Sequence, residues 1–329
     1  MTRPLVALIM AGGTGTRLYP ASRSDRPKQF LSLLGDDSLL SQTVERAGFA
    51  DEIFVCTGED HADLVREHVP EVGVLVEPEP KDTGPALTYA AHRIREQVGD
   101  CVLLCMPSDH HIAGDFETTA RRAASVAVET EGVVTVGIEP TRPATGYGYI
   151  EPGTDYGGHF DVAQFREKPD AETAEQFVKD GFYWNAGLFA WTPDAFLQEA
   201  RDSPLSPLVS ALEEGESTDG FDAVESVSVD YAVMERTDEA SVVPADFEWD
   251  DLGSWDALER LVPGENTVLG DVLTIDASGN VVASDKHVSL VGVDDLVVTS
   301  YDDRVLVVSK SEAQRVREVV SELRAEDRF

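Results

Sequence analysis

The sequence predicts an α/β protein: a mixed, mostly parallel sheet with helices on both faces, followed by a small β-rich domain. Three observations carry that prediction. Through the first half, short apolar runs alternate with helix-like segments, the rhythm of strand–helix–strand units. The first apolar run breaks directly into a glycine loop, as the first βα turn of such folds does. After Pro263-Gly264 the rhythm changes to short strands split by turn residues. A chain of 329 residues can bury a large core in one to three domains. The change of rhythm divides it into 1–262 and 263–329.

Taken in order, strands are expected at 5–10, 53–56, 73–76, 101–106 and 133–138, where apolar residues run together between turn residues. Helices are expected between them, near 38–48, 61–69, 85–98 and 115–130. In a parallel sheet, ligands sit beyond the carboxyl ends of the strands. The loop after residue 10 and Pro107-Ser108-Asp109-His110 after the fourth strand therefore fall on one edge. Strands at 148–150, 162–165 and 187–191, with helices near 171–180, 193–213 and 229–236, complete the sheet and build a substrate lobe. Strands at 269–275, 280–283, 288–293, 296–300 and 305–309, then a helix over 311–325, read as stacked turns in the form of a short β-helix.

Composition excludes several classes. The net charge is −36, from 26 Lys and Arg against 62 Asp and Glu, yet 42% of residues are hydrophobic, which excludes disorder. There is no basic stripe for nucleic acid and no apolar run of the roughly 18 residues that a membrane helix needs. A cytoplasmic protein is expected. Its surface repels itself in dilute buffer and is screened at molar salt, where the Debye length falls to about 3 Å, so a salt-adapted, halophilic protein is expected. Cys56, Cys101 and Cys105 stand in apolar contexts and are expected to be buried thiols rather than a disulfide framework or a metal site. Lysine is scarce, and Lys28, Lys81 and Lys168 lie beside the loops that carry the chemistry below.

The glycine loop is the most informative stretch. Gly12, Gly13 and Gly15 let backbone N–H groups approach an anion, and Arg17 and Lys28 add charge for a phosphate chain. The spacing is not that of a P-loop, and Leu18 stands where a dinucleotide fingerprint needs its third glycine. The stretch reads as a site for a phosphorylated nucleotide.

The string from Ala11 to Phe30, AGGTGTRLYPASRSDRPKQF, resembles the signature of sugar-nucleotide pyrophosphorylases. Its ending, Pro27-Lys28-Gln29-Phe30, is most similar to the mannose-1-phosphate guanylyltransferases, which make GDP-mannose from GTP and mannose 1-phosphate. The resemblance implies a Rossmann-like nucleotidyltransferase domain and a C-terminal domain in the form of a short left-handed β-helix. It implies that Ala11, Gly12, Gly13, Thr14, Gly15 and Thr16 wrap the triphosphate, and that Arg17 and Lys28 contact its phosphates. It also implies that Asp109, with Asp251 of Trp249-Asp-Asp-Leu-Gly-Ser-Trp255, holds Mg²⁺ or another divalent cation such as Mn²⁺, Asp250 being the substitute for Asp251. The segment from Glu77 to Ala86 resembles the family's base-recognition segment, with Asp82 where the family usually has Asn, and Pro85 following. A helix N-cap at Thr83 is the structural reading of the same residues. Gly146 and Tyr147, Glu167 and Lys168, and Asn185 and Gly187 match the sugar-phosphate motifs, with Lys168 orienting the nucleophile. His110 is expected to contact the sugar phosphate rather than act as a base, because the attacking phosphate oxygen is already ionised.

The expected reaction is Mg-assisted, in-line attack of mannose 1-phosphate on the α-phosphorus of GTP. GTP and mannose 1-phosphate are the expected partners, with a homodimer as the assembly and neither nucleic acid nor membrane. Three rivals stand beside it: a related transferase using glucose 1-phosphate with dTTP or UTP, a non-catalytic sensor of GDP-mannose, and a cofactor guanylyltransferase of similar N-terminal motif, whose chains are shorter and lack the sugar motifs.

Overall fold

The computed structural model describes residues 3–13 and 15–329. The first half alternates as expected: β1 (Leu5–Met10), α1 (Leu39–Arg46), β2 (Glu52–Gly58), α2 (Ala62–His68), β3 (Gly73–Glu77), α3 (Thr83–Val98) and β4 (Val102–Pro107). After β5 (His111–Gly114) come α4 (Phe116–Thr130), β6 (Val133–Ile138), β7 (Tyr149–Asp155), β8 (Phe160–Arg166), α5 (Ala171–Asp180) and β9 (Tyr183–Trp191). The helix expected over 193–213 is two, α6 (Pro193–Arg201) and α7 (Ser206–Glu214). Pro204 stands between them, and proline has no N–H to continue a helix. Then follow α8 (Ser217–Asp222), a π-helical turn over Asp230–Met234, β10 (Ala240–Pro244), β11 (Phe247–Asp250) and α9 (Ala257–Leu261). The chain closes with β12 (Thr267–Leu269), β13 (Val272–Ile275), β14 (Val281–Ser284), β15 (Val288–Val291), β16 (Leu296–Tyr301), β17 (Arg304–Ser309) and α10 (Val316–Ala325). No helix among the described residues is long and apolar enough to cross a membrane.

The chain forms two compact units, and neither is one continuous segment. The first comprises the residues up to Gly12, Thr43–Ser108 and Ile112–Trp249; the second comprises Gly13–Gln42, Asp109–His111 and Asp250–Phe329. The division at 262/263 follows chain order, whereas the contacts group the segment after Gly12 with the C-terminal strands.

The first unit is built on a nine-stranded sheet of order β3-β2-β1-β4-β9-β6-β10-β8-β7. β1 runs parallel to β2 and β4, β2 to β3, and β10 to β6; β9 runs antiparallel to β4 and β6. The mixed, mostly parallel sheet flanked by helices is the expected class. β5, β10 and β11 had no counterpart in the sequence reading. Leu8, Leu103, Phe189, Trp191, Phe196 and Val209 are fully or almost fully buried in one cluster, each contributing about 1.5–3 kcal/mol by leaving water. Trp191 stacks on Phe196 with centroids 4.2 Å apart. Register places Met10 beside Pro107, and the Ser108 N–H donates to the Met10 carbonyl at 3.0 Å. The carboxyl ends of β1 and β4 are therefore flush, and the loops that follow them leave one edge of the sheet.

The second unit contains a stack of strands. β12, β14 and β16 pair in parallel, β13 pairs in parallel with β15, and β17 closes the stack antiparallel to β16. The strand expected over 269–275 is two, because the chain turns a corner at Gly270 with φ of 115°, where a Cβ would run into the Ser284 carbonyl. Buried Asn280 ties successive turns together. Its amide donates to Asn266 Oδ1 and to the Val293 carbonyl, both at 2.9 Å, and its oxygen accepts from the Leu296 N–H at 3.0 Å. Leu18, Tyr19, Leu31 and Leu33 share one core with Trp255, Val281, Val297, Val316 and Val320. The Trp255 indole donates to the Tyr19 carbonyl at 2.9 Å. All three cysteines are free and buried, as expected.

Candidate active site

At the edge of the first unit, backbone groups do the positioning. The Ala11 N–H donates to the Cys56 carbonyl at 2.8 Å, and the Ala11 carbonyl accepts from Thr57 Oγ1 at 3.0 Å. The loop thus leaves β1 in one direction. Gly12 follows, and a Cβ on it would lie 3.4 Å from Glu77 Oε1. Glu77 ends β3 and is only 5% exposed, and among the described residues its Oε2 has no hydrogen-bond partner. Burial, aided by the charge of Asp82, pushes its carboxyl up to about 7. No sequence reading singled Glu77 out. Its signals were an acid at the end of an apolar strand, directly before proline, and its place at the head of the segment that resembles the base-recognition segment.

The cap of α3 falls one residue earlier than expected, at Asp82. Its Oδ1 accepts from the Thr83 N–H at 2.7 Å, and its φ is 71°, so Asp82 itself is the N-cap of α3. The expected cap, Thr83, instead accepts from the Val229 N–H at 3.0 Å through its hydroxyl. Pro85 lies buried in the first turn, where its missing N–H costs nothing. Lys81 donates to the Phe221 and Val224 carbonyls at 2.8 and 3.2 Å, so its charge holds the end of α8.

In the second unit, Gly13 is exposed with open space around it, and Thr14 lies outside the described residues. Gly15 has φ of 61°, and a Cβ there would collide with the Lys28 side chain, so only glycine fits. Thr16 opens a short 3₁₀ turn that ends at Leu18. Within that turn, Arg17 donates to Gln314 at 3.3 Å. Lys28 is the hub. It is 4% exposed, and its ammonium lies 2.9 Å from Asp109 Oδ2 and donates to the Asp251 carbonyl at 2.6 Å. Burial alone would raise the Asp109 carboxyl, but Lys28 and His110 bring it below its ordinary value. Burial holds His110 down, against the charge of Asp109.

Asp251 takes the Gly253 N–H at 3.2 Å, and Asp250 is bound in two places by Arg260, at 2.6 and 3.0 Å. Asp250 is therefore a structural ion pair, and Asp251 meets Lys28 through its backbone carbonyl while its carboxylate turns onto Gly253. Among the described residues no group of three or more His, Cys, Asp or Glu side chains is in position to hold a metal. Asp109 and Asp251 are hard oxygen donors, and they fit a cation that takes its other ligands from phosphate and water.

Back in the first unit, the sugar-phosphate motifs converge. Tyr147 packs edge-on against Trp184 and Trp249, with centroids at 5.1 and 5.2 Å, and its hydroxyl accepts from Arg142 at 3.1 Å. Gly146 stands in open space. Lys168, at φ of 44°, donates to Glu167 Oε1 at 2.6 Å. Burial would lower the Lys168 ammonium, but the bond to Glu167 keeps it raised overall. The Glu167 side chain is only 7% exposed, and a Cβ on Gly148 would lie 2.5 Å from its Oε2. Asn185 Oδ1 accepts from Thr135 Oγ1 at 2.9 Å and from the Gly187 N–H at 3.1 Å, and its amide donates to Asp230 at 2.8 Å. Gly187 has φ of 67°, which turns its N–H back onto Asn185. Asp230 is the other functional candidate that sequence reasoning missed; its signal was a lone acid in the apolar run Val229-Asp230-Tyr231-Ala232-Val233-Met234.

Comparisons with known proteins agree with one another. The nucleotidyl transferase family profile matches residues 6–265, and a profile described as a MannoseP isomerase/GMP-like beta-helix domain matches 270–323. The chain is 36% identical to the xanthan biosynthesis protein XanB of Xanthomonas campestris pv. campestris, over 98% of this chain and 74% of that one. It is 37% identical to the mannose-1-phosphate guanylyltransferase of Sinorhizobium fredii, over 99% and 69%. Its structure superposes with a TM-score of 0.92 on a crystal structure described as mannose-1-phosphate geranyltransferase from Thermus thermophilus, at 35% identity and covering 98% and 99% of the two chains.

Proposed function

The chain belongs to the nucleotidyl transferase family and is an enzyme of the mannose-1-phosphate guanylyltransferase type, and on that premise we propose that it transfers GMP from GTP to mannose 1-phosphate, releasing GDP-mannose and pyrophosphate. The observation that carries this reading is the buried Lys28 ammonium, held between the Asp109 carboxylate and the Asp251 carbonyl beside a glycine loop. A buried cation fixed in this way is organised before any ligand arrives, and little reorganisation remains when charge develops on phosphate. Arg17 and Lys28 neutralise the triphosphate and the departing pyrophosphate. Asp109 and Asp251 would hold Mg²⁺ or Mn²⁺, which supplies charge neutralisation on phosphate oxygens when bound. Lys168 orients the sugar phosphate, whose oxygen is already ionised and needs no base. Attack in line with the leaving group is then a matter of positioning and electrostatics.

Glu77 supports guanine as the base. A carboxylate offers two acceptors, which matches the adjacent N1–H and N2–H₂ donors of guanine and no other common base edge. It adjoins Gly12 of the loop assigned to the nucleotide.

The test is pyrophosphate release at molar KCl with Mg²⁺, across four nucleoside triphosphates and several sugar 1-phosphates. Release with GTP and mannose 1-phosphate is expected, and Asp109→Ala should lower it by about two to four orders of magnitude with the fold intact. Preference for another pair would move the specificity. GDP-mannose binding without release under any condition would overturn the reading in favour of a sensor.

A further inference from the structure

Asn185 has little left to offer a ligand. A side-chain amide carries two donors and two acceptor positions. Its oxygen is engaged twice, by Thr135 and the Gly187 N–H, and one of its two N–H bonds goes to Asp230 Oδ1 at 2.8 Å. The bonds to oxygen also fix which way the amide faces, so the N–H₂ end is turned onto Asp230. Asp230 opens the π-helical turn Asp230–Met234, and such turns are rare and concentrate at functional sites.

The carboxyl that Asn185 holds is energetically exposed to its neighbours. Burial first, and the charge of Glu167 second, push it up to about 7, against Lys168 and the Asn185 bond. Glu167 is itself more than nine-tenths buried, and its Oε2 has no partner among the described residues. Two neighbouring carboxyls with unused acceptor capacity, and an ammonium on one of them, are costly in an empty protein. The cost is recovered when hydroxyl groups arrive. A hexose hydroxyl both donates and accepts, so it can bridge two neighbouring carboxyl groups.

Resting on the reading that this enzyme takes a sugar 1-phosphate, we infer that Asp230 is a sugar-binding residue that receives a hexose hydroxyl together with Glu167, and that Asn185 is a positioning residue acting through Asp230. The relevant ligand chemistry is a hydroxyl pair on a pyranose ring, with the phosphate left to Lys168.

Steady-state kinetics on the full chain test this. Asp230→Ala should raise KM for mannose 1-phosphate at least about tenfold, the size of one lost hydrogen bond to a charged group, with KM for GTP within about twofold. Asp230→Asn keeps the bond from Asn185 and removes only the charge, so it serves if the alanine variant fails to fold. A set of monodeoxy mannose 1-phosphates should contain one analogue that wild type rejects and the Asp230 variant no longer distinguishes. Asn185→Ala should raise the same KM, and the double variant should be no worse than the poorer single one.

An unchanged sugar KM in Asp230→Asn and Asp230→Ala, while wild type still uses mannose 1-phosphate, overturns the inference and leaves the proposed reaction standing. Additive effects of the two sites overturn the positioning role of Asn185. A wild-type protein that releases pyrophosphate with no sugar phosphate overturns the proposed reaction and this inference with it.

Discussion

A carboxyl buried with one oxygen unpartnered opposes folding whenever it ionises, and Glu77 shows the sign of that effect. Its folded value, pushed up to about 7 by burial, lies above the ordinary carboxylate value of 4.5. Between those values the folded chain keeps a proton that the unfolded chain has lost. Stability is therefore greatest below about pH 4.5 as far as this residue is concerned, and it falls as pH rises through 7. Glu77→Gln removes the penalty. Its melting temperature should exceed wild type by a few degrees at pH 8 and match it at pH 4.5. The same variant should lose its preference for GTP over ITP, because ITP lacks the N2 donors that the carboxylate would read. A gain in stability that is equal at both pH values would show that ionisation of Glu77 is not the cause. Residues of this kind are faintly legible in sequence. Lys28 and Asp109 stood out through their motifs, but Glu77 and Asp230 became informative only when their burial and surroundings were known. Asp82 shows the reverse case: a motif position whose side chain turns back onto its own helix.

At the scale of elements, the stacked strands depend on a few polar anchors. The Asn280 side chain makes three hydrogen bonds to neighbouring turns from a site that is 1% exposed. Alanine there strands the Leu296 N–H and the Val293 carbonyl away from water. About 3 kcal/mol should be lost, with one to two for each unsatisfied group setting the scale. A denaturant titration followed by far-UV circular dichroism checks this, and an unshifted midpoint would mean that other groups anchor the coil. The element pattern was largely readable where apolar runs are long. β1 and β6 lie where the runs are, at Leu5–Met10 and Val133–Ile138. Short strands such as β10 and β11 were not, because four or five residues beside a proline carry too little pattern. The break between β12 and β13 depends on the backbone of one glycine, and the run of apolar residues passes straight through it.

At the scale of the whole molecule, the excess of 36 negative charges dominates. Exposed ion pairs such as Arg315 with Glu312 and Glu318 contribute little, and salt screens even that. Repulsion among dozens of unpaired acids is larger and is lost in salt as well, so screening should favour the folded state. Raising KCl from about 0.1 M to molar levels, where the Debye length shrinks from about 10 to 3 Å, should raise the melting temperature. A fall over that range would rule out salt adaptation. The charge balance was fully legible in the sequence. The grouping of distant segments into one unit was not, because contact between residues 18 and 320 leaves no local trace. That grouping also sets a schedule for synthesis. Leu18 and Leu31 emerge from the ribosome early, yet the partners that bury them, Val316 and Val320, are made last. At roughly 5–20 residues per second the wait is on the order of half a minute. Through that interval the nascent chain must carry Leu18 and Leu31 without those partners, in a form that chaperones and proteases can reach.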